Sequence, residues 1–151
     1  MTDVNTILKR IKDEDIAYVD VRFTDPRGKW QHLAMDAAIV DEDMFSDGIM
    51  FDGSSIAGWK AINESDMTLM PDLSTATMDP FMAQPTMVLF CDVLEPSTME
   101  GYNRCPRSTA KLAEAYVSAS GVGDTAYFGP EAEFFVFDDV KFKVSQNHTA
   151  Y

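Results

Sequence analysis

Cationic residues are scarce in this chain. Its 151 residues carry 12 Lys and Arg against 25 Asp and Glu, a formal net charge of −13 at neutral pH. Nucleic acids and anionic membrane surfaces are recognised through basic footprints, so this balance argues against both as partners. Cysteine is scarcer still. Cys91 and Cys105 are the only two, and they form neither a disulfide framework nor a metal-ligand spacing. That usage suits a reducing, cytoplasmic setting. His32 and His148 are the only histidines, and each lies far in sequence from the acidic clusters. No run approaches the ~20 apolar residues of a membrane span. The N-terminus, Met1 to Asn5, has neither a basic start nor a long apolar stretch that would mark a leader. There is no internal repeat and no low-complexity tract. What is present is a 46% apolar composition, enough for a real core.

Periodicity places the elements. Val4, Ile7, Leu8 and Ile11 recur at helical spacing, so residues 1–13 are expected to form a helix. Thr2 or Asp3 can cap its start, and Lys9, Arg10 and Lys12 suit its C-terminal end. From Ile16 to Thr24 the pattern alternates, with Val19, Val21 and Phe23 facing one way and Asp20, Arg22 and Thr24 the other. That is a half-buried strand. Asp25-Pro26-Arg27-Gly28 is a turn, and Trp30 to Met35 is the returning strand of a hairpin. Asp41 to Phe45 reads as a short helical turn with acids at its N-terminal end. Asp66 to Met70 is a short strand stopped by Pro71, and Asp72 to Asp79 is turn-rich. Thr86 to Leu94 is almost continuously apolar, which fits a central strand buried on both faces. Residues 14–97 thus form an α+β unit of the β-grasp kind. The texture from Glu95 to Pro106 marks a domain boundary, and a second unit begins at 105–151. Pro106 can open a helix whose apolar stripe is Leu112, Ala113, Tyr116 and Val117, with Gly121 after its end. A strand is expected from Thr125, interrupted at Gly129-Pro130 and continued over Glu131 to Phe137, ahead of a short polar stretch.

Two stretches carry candidate chemistry. Phe51 to Trp59 has no helical or strand period and packs two glycines, two serines and Asp52 among Phe51, Ile56 and Trp59. Such a loop bends, and it sits against something. Asp52 can act as a base or hold a cation, and Ser54 and Ser55 can donate; an ordinary surface loop with Asp52 in an Asx turn is the plainer reading. No histidine lies near to activate either serine, which argues against a serine hydrolase. Glu131 and Glu133 are the second pair. On a strand, i and i+2 share a face about 6.7 Å apart at Cα. Two such carboxylates can serve neighbouring hard cations, Mg²⁺ or Mn²⁺; otherwise they form an acidic rim, solvated or facing Lys and Arg. Trp30 and Trp59 read as packing residues, the ten methionines as core filler, and both histidines as core or surface. Arg104 and Arg107 flank Pro106 as a solvated helix start, with phosphate binding as the sharper alternative.

Taken together, these residues resemble the bacterial type I glutamine synthetases. Phe51-Asp52-Gly53-Ser54-Ser55, then Trp59-Lys60, then Asn63 through Asp72, look like that family's N-terminal signature. Gly129-Pro130-Glu131-Ala132-Glu133-Phe134-Phe135 looks like its first metal-binding strand, and Arg22-Phe23-Thr24-Asp25 and Asp79-Pro80-Phe81 also fit. The resemblance runs along essentially the whole chain, in the family's order.

The resemblance implies a β-grasp domain followed by the start of a catalytic α/β domain. It implies ATP-dependent amidation of L-glutamate by ammonia through γ-glutamyl phosphate, in nitrogen assimilation. It implies Glu131 and Glu133 as ligands of two different metal ions, Mg²⁺ or Mn²⁺. It implies Asp52 as the acid beside the ammonium site, with Ser55 and Trp59 next to it. It implies a homo-oligomeric ring, dodecamer-like, in which the Asp52 loop completes a neighbour's active site. The family's remaining metal ligands, substrate-binding arginines, acidic flap residue and adenylylated tyrosine have no counterpart here, so the chain is expected to be an N-terminal fragment inactive alone. The alternatives are a glutamate ligase for a larger amine, and a non-catalytic assembly or regulatory module of the same fold.

Overall fold

The computed structural model describes residues 3–151. Helix α1 spans Val4–Asp13. Asp3 caps it, its carboxylate accepting from the Thr6 N–H at 2.7 Å; the alternative cap, Thr2, lies outside the described residues. Ile7 and Ile11 form its buried face, with Val4 and Leu8 packed beside them, as the spacing requires.

Strand β1 (Tyr18–Thr24) pairs antiparallel with β2 (Trp30–Asp36) across the Asp25 turn. Asp25 shapes that turn by accepting from the Arg27 and Lys29 N–H groups, both at 2.9 Å. After a short helix α2 (Glu42–Ser46), capped by Asp41, come β3 (Ile49–Asp52) and its antiparallel partner β4 (Asp66–Pro71). A two-residue strand β5 (Thr77–Met78) follows, then β6 (Thr86–Leu94). The sheet order is β2-β1-β6-β4-β3, with β5 also on β6. Strand β6 is paired on both edges: parallel to β1, and antiparallel to β5 and then β4. Thr86 to Leu89, Cys91 and Val93 of this strand are buried, while Phe90, Asp92 and Leu94 on its other face are half-buried. Val19, Val21, Phe23, Leu69, Met87, Leu89, Cys91 and Val93 share one core with α1.

Four expectations are corrected. Phe51 and Asp52 belong to strand β3, held by pairing with Met67 and Asp66, and are not part of an irregular loop. Asp20 does not face solvent. It is 1% exposed, because Arg22 and His32 close over it from its own face of the sheet. Where the sequence reads a polar tail, β7 (Lys143–Ser145) and β8 (His148–Ala150) form a small exposed hairpin.

The fourth concerns the second unit. Helix α3 (Pro106–Ser120) starts at Pro106 and ends at Gly121, whose φ of 69° is the left-handed conformation of a helix stop. Among the described residues its stripe has no partner, however: Leu112 and Tyr116 are 70% and 74% exposed. The strand expected from Thr125 to Phe137 is not formed. Residues 122–142 are irregular, and Phe134, Phe135 and Val136 are exposed. A strand takes its hydrogen bonds from a neighbour and its stability from burial, and among the described residues nothing pairs with this segment.

Candidate functional site

The site is built on the end of β3. Asp52 is its last residue, exposed, with Asp66 directly across on β4. The chain then enters a single 3₁₀ turn, Gly53–Ser55. Oδ1 of Asp52 accepts from the Ser54 N–H at 2.8 Å and from the Ser54 hydroxyl at 2.6 Å. Oδ2 accepts a long bond, 3.4 Å, from the Ser55 hydroxyl, and the Ser65 side chain also lies near the carboxylate. Hydrogen bonds from Ser54 hold the Asp52 carboxyl below the usual carboxylate range. At neutral pH it is therefore an anion with one well-satisfied oxygen and one available oxygen.

A period of three runs through this loop that sequence patterning missed. Gly53, Ile56 and Trp59 are buried, while Asp52, Ser55 and Gly58 are exposed. Successive tight turns produce it: Ile56 N–H donates to Gly53 O, and Trp59 N–H to Ile56 O, at 3.2 and 3.1 Å. Gly53 lies against β4, donating to Ser65 O at 2.7 Å. A Cβ there would meet Met67 Sδ at 2.5 Å, so only glycine fits. Trp59 is 6% exposed and packs among Phe23, Phe51 and Tyr102, with ring centroids 5.4–6.2 Å away. Its Nε1 has no hydrogen-bond partner among the described residues. The indole supports the loop from beneath and is not offered at its outer surface. Lys60, next along, pairs with Glu95 at 2.6 Å and lies over the Tyr102 ring.

Asp52 and Ser55 are thus brought together, and Trp59 lies under them. Glu131 and Glu133 stand apart from any such arrangement. They lie on the exposed irregular stretch and make no hydrogen bond or ion pair to another described residue. Carboxylate oxygens are the right donors for Mg²⁺ or Mn²⁺, but these cations take six or more ligands. Among the described residues no three His, Cys, Asp or Glu side chains gather to hold a metal ion. The donor type fits; the donor number does not.

The arginines at the helix start are neither free for phosphate nor merely solvated. Arg107 bridges Asp72 and Asp92, at 2.9 Å to the latter, and Lys111 joins the same Asp92. Arg104 reaches back to the loop, donating to Gly58 O at 2.7 Å. Neither partner set could be read from sequence, because the pairs are separated by 15 to 46 positions.

The comparisons with known proteins bear on this geometry directly. The family model described as "Glutamine synthetase, beta-Grasp domain" matches residues 15–96, which include the whole sheet and the Asp52 loop. The chain belongs to the glutamine synthetase family. The model described as "Glutamine synthetase, catalytic domain" matches residues 103–151, where α3 and the two glutamates lie. The glutamine synthetase of Rhizobium meliloti (strain 1021) is 66% identical over 151 residues, all of this chain and 32% of that protein. That of Bradyrhizobium diazoefficiens is 65% identical over the same span. The chain therefore covers about a third of the length of these glutamine synthetases. Among solved structures, the Plasmodium falciparum glutamine synthetase superposes with a TM-score of 0.72 at 21% identity, over 80% of this chain and 23% of that one, a likeness of fold. No helix among the described residues is long and apolar enough to cross a membrane.

Proposed function

We propose that this chain takes part in the ATP-dependent joining of ammonia to L-glutamate, with Asp52 as the residue that receives the ammonium ion. The observation that carries this reading is the Asp52 carboxylate itself. It is exposed, anionic, fixed by Ser54 and left with Oδ2 largely free, inside a segment matched by the family's β-grasp model.

The chemistry divides into two displacements. An oxygen of the glutamate γ-carboxylate attacks the terminal phosphorus of ATP; an O–P bond forms, the bond to ADP breaks, and γ-glutamyl phosphate results. Ammonia then attacks the acyl carbon, the C–N bond forms, phosphate leaves, and the nitrogen sheds a proton. An anion of depressed pKa suits the opening of the second step. It attracts NH₄⁺ strongly, and it can accept the proton that NH₄⁺ must lose before its nitrogen has a lone pair for the attack; the proton shed after C–N bond formation leaves with the phosphate. Ser55, whose hydroxyl faces Oδ2, lies at the same place. Trp59 acts by packing, holding the turn that presents both.

Glu131 and Glu133 would contribute carboxylate oxygens to bound Mg²⁺ or Mn²⁺. Such cations supply charge neutralisation for the phosphates and the γ-carboxylate. Because the described residues provide too few donors, those sites require further groups. The reading therefore includes a homo-oligomer, a ring in which the Asp52 loop of one subunit meets the catalytic domain of the next. The exposure of Asp52 and Ser55, and the separation of the loop from any assembled acidic cluster, support it. The 151-residue chain alone is expected to be inactive, and the working setting to be the cytoplasm, consistent with two free, buried cysteines.

The test is the variant pair Asp52→Asn and Asp52→Glu in the polypeptide as its own cells make it. Asp52→Asn is expected to raise the KM for ammonium by roughly tenfold or more, from loss of a charge-assisted contact, while the KM values for glutamate and ATP barely move. Unchanged ammonium dependence in Asp52→Asn would remove Asp52 from the reaction.

A further inference from the structure

The loop that bears Asp52 is tied down at two places, and the second is supplied from outside the sheet. Its first limb is fixed to Ser65, the residue just before β4, through the Gly53 N–H to Ser65 O bond. Its second limb, Ile56 to Lys60, packs Trp59 against Phe23 and Phe51 but makes no backbone hydrogen bond to a strand among the described residues. It is held instead by the segment between β6 and α3.

That segment is itself well anchored. Tyr102 N–H donates to Val93 O at 2.8 Å, and Glu95 N–H to Glu100 O at 2.9 Å. Tyr102 and Cys105 are buried. Cys105 N–H donates to Tyr102 O at 3.0 Å, and Cys105 O receives the Thr109 N–H that starts α3. Arg104 thus projects from a short, rigid stretch. Its Nη1 donates to Gly58 O at 2.7 Å and to Trp59 O at 3.3 Å. A parallel strut runs the other way, from Lys60 to Glu95. Gly58 and Trp59 offer backbone carbonyls in successive positions, and the one nitrogen Nη1 bridges them.

We propose that Arg104 is a positioning residue for the Asp52 loop, locking the loop to the joint from which α3 departs. The inference rests on the reading that Asp52 receives ammonium. Arg104 touches no reacting atom. Its contribution is to fix the end of the loop that bears Asp52 and Ser55 relative to whatever α3 carries with it. Placement errors of about 1 Å at such a site cost rate out of proportion to the bond lost.

The experiment compares Arg104→Met, Arg104→Lys and a control, Arg27→Met, an exposed arginine of the Asp25 turn, in the polypeptide as its own cells make it. The loop is followed by amide exchange of residues 53–60. Arg104→Met is expected to raise the KM for ammonium roughly tenfold with little change in the KM for ATP, and to speed exchange across Ile56 to Lys60. Arg104→Lys keeps the charge and one donor nitrogen. It should recover most of both effects, and it stays testable if the Met variant fails to fold. Arg27→Met should change neither. Exchange and ammonium KM unaltered in Arg104→Met overturn the latch, even where Asp52→Asn is defective. Faster exchange in Arg104→Met, with no ammonium effect in Asp52→Asn, leaves the latch standing and overturns the role given to Asp52.

Discussion

Asp20 shows how far a single residue can depart from its sequence pattern. Strict alternation puts it on the wet face of β1, yet it is buried, accepting from Arg22 Nε at 2.8 Å with His32 Nδ1 at 2.7 Å. Arg22 in turn reaches Asp79, 57 positions on, at 2.6 Å. Replacing Asp20 by Ala leaves Arg22 with a single acidic partner and should cost about 3 kcal/mol, read by urea denaturation. At Gly53 the constraint is steric. Gly53→Ala drives a methyl group into Met67 and should lower stability by about 2 kcal/mol and disturb ammonium use together. Cys91 shows the opposite case, a residue made inert by its place. Burial pushes its thiol well up, so a thiol reagent at neutral pH should leave it unmodified until denaturant is added.

Elements differ in how plainly they are written in the chain. Helix α1 is legible from Val4, Ile7, Leu8 and Ile11 because local spacing alone decides it. Ile7→Ala should therefore cost about 3 kcal/mol, since the residue is fully buried against the sheet. Strand β6 is legible for the same reason: its apolar run has only one explanation. Strand β5 is not, since two residues carry no period, and Thr77–Met78 is a strand only because β6 offers an edge. The 3₁₀ loop after Asp52 hides its period of three among glycines and serines. The stretch from Thr125 to Phe137 fails in the other direction. Its sequence has strand chemistry, but its pattern presumes neighbours that the described residues do not include. In the 151-residue chain alone, amide exchange should be slow at Val19, Val21 and Leu89 and fast from Glu131 to Phe137.

For the whole molecule, what could not be read was the parallel pairing of β1 with β6. These strands lie more than 60 positions apart, and their register depends on how the intervening β3–β4 pair docks. Local turns and two long-range ion pairs, Arg22 with Asp79 and Arg107 with Asp72, together set the acid response. Asp25 is held below the usual carboxylate range by Gln31 and the turn N–H groups, and Asp79 by the Phe81 N–H and Arg22. Asp72 is drawn down by Ser74 and Arg107 although partial burial works against it. Native-state pKa values below the unfolded ones give stability that is complete above about pH 4 and is lost as pH falls through the depressed values. The urea midpoint should stay level from pH 7 to about 5 and drop steeply below about 4. At this level too stands the assignment of function, which joins a sheet loop to a family whose relatives are about three times as long. It is decided by incubating the polypeptide, purified from its own cells, with glutamate, ATP and ammonium, and quantifying glutamine, ADP and phosphate. Glutamine formed in equal amounts with ADP and phosphate, and only when ammonium is supplied, is the expected result. No glutamine, or an amide formed only with a larger primary amine, would contradict it.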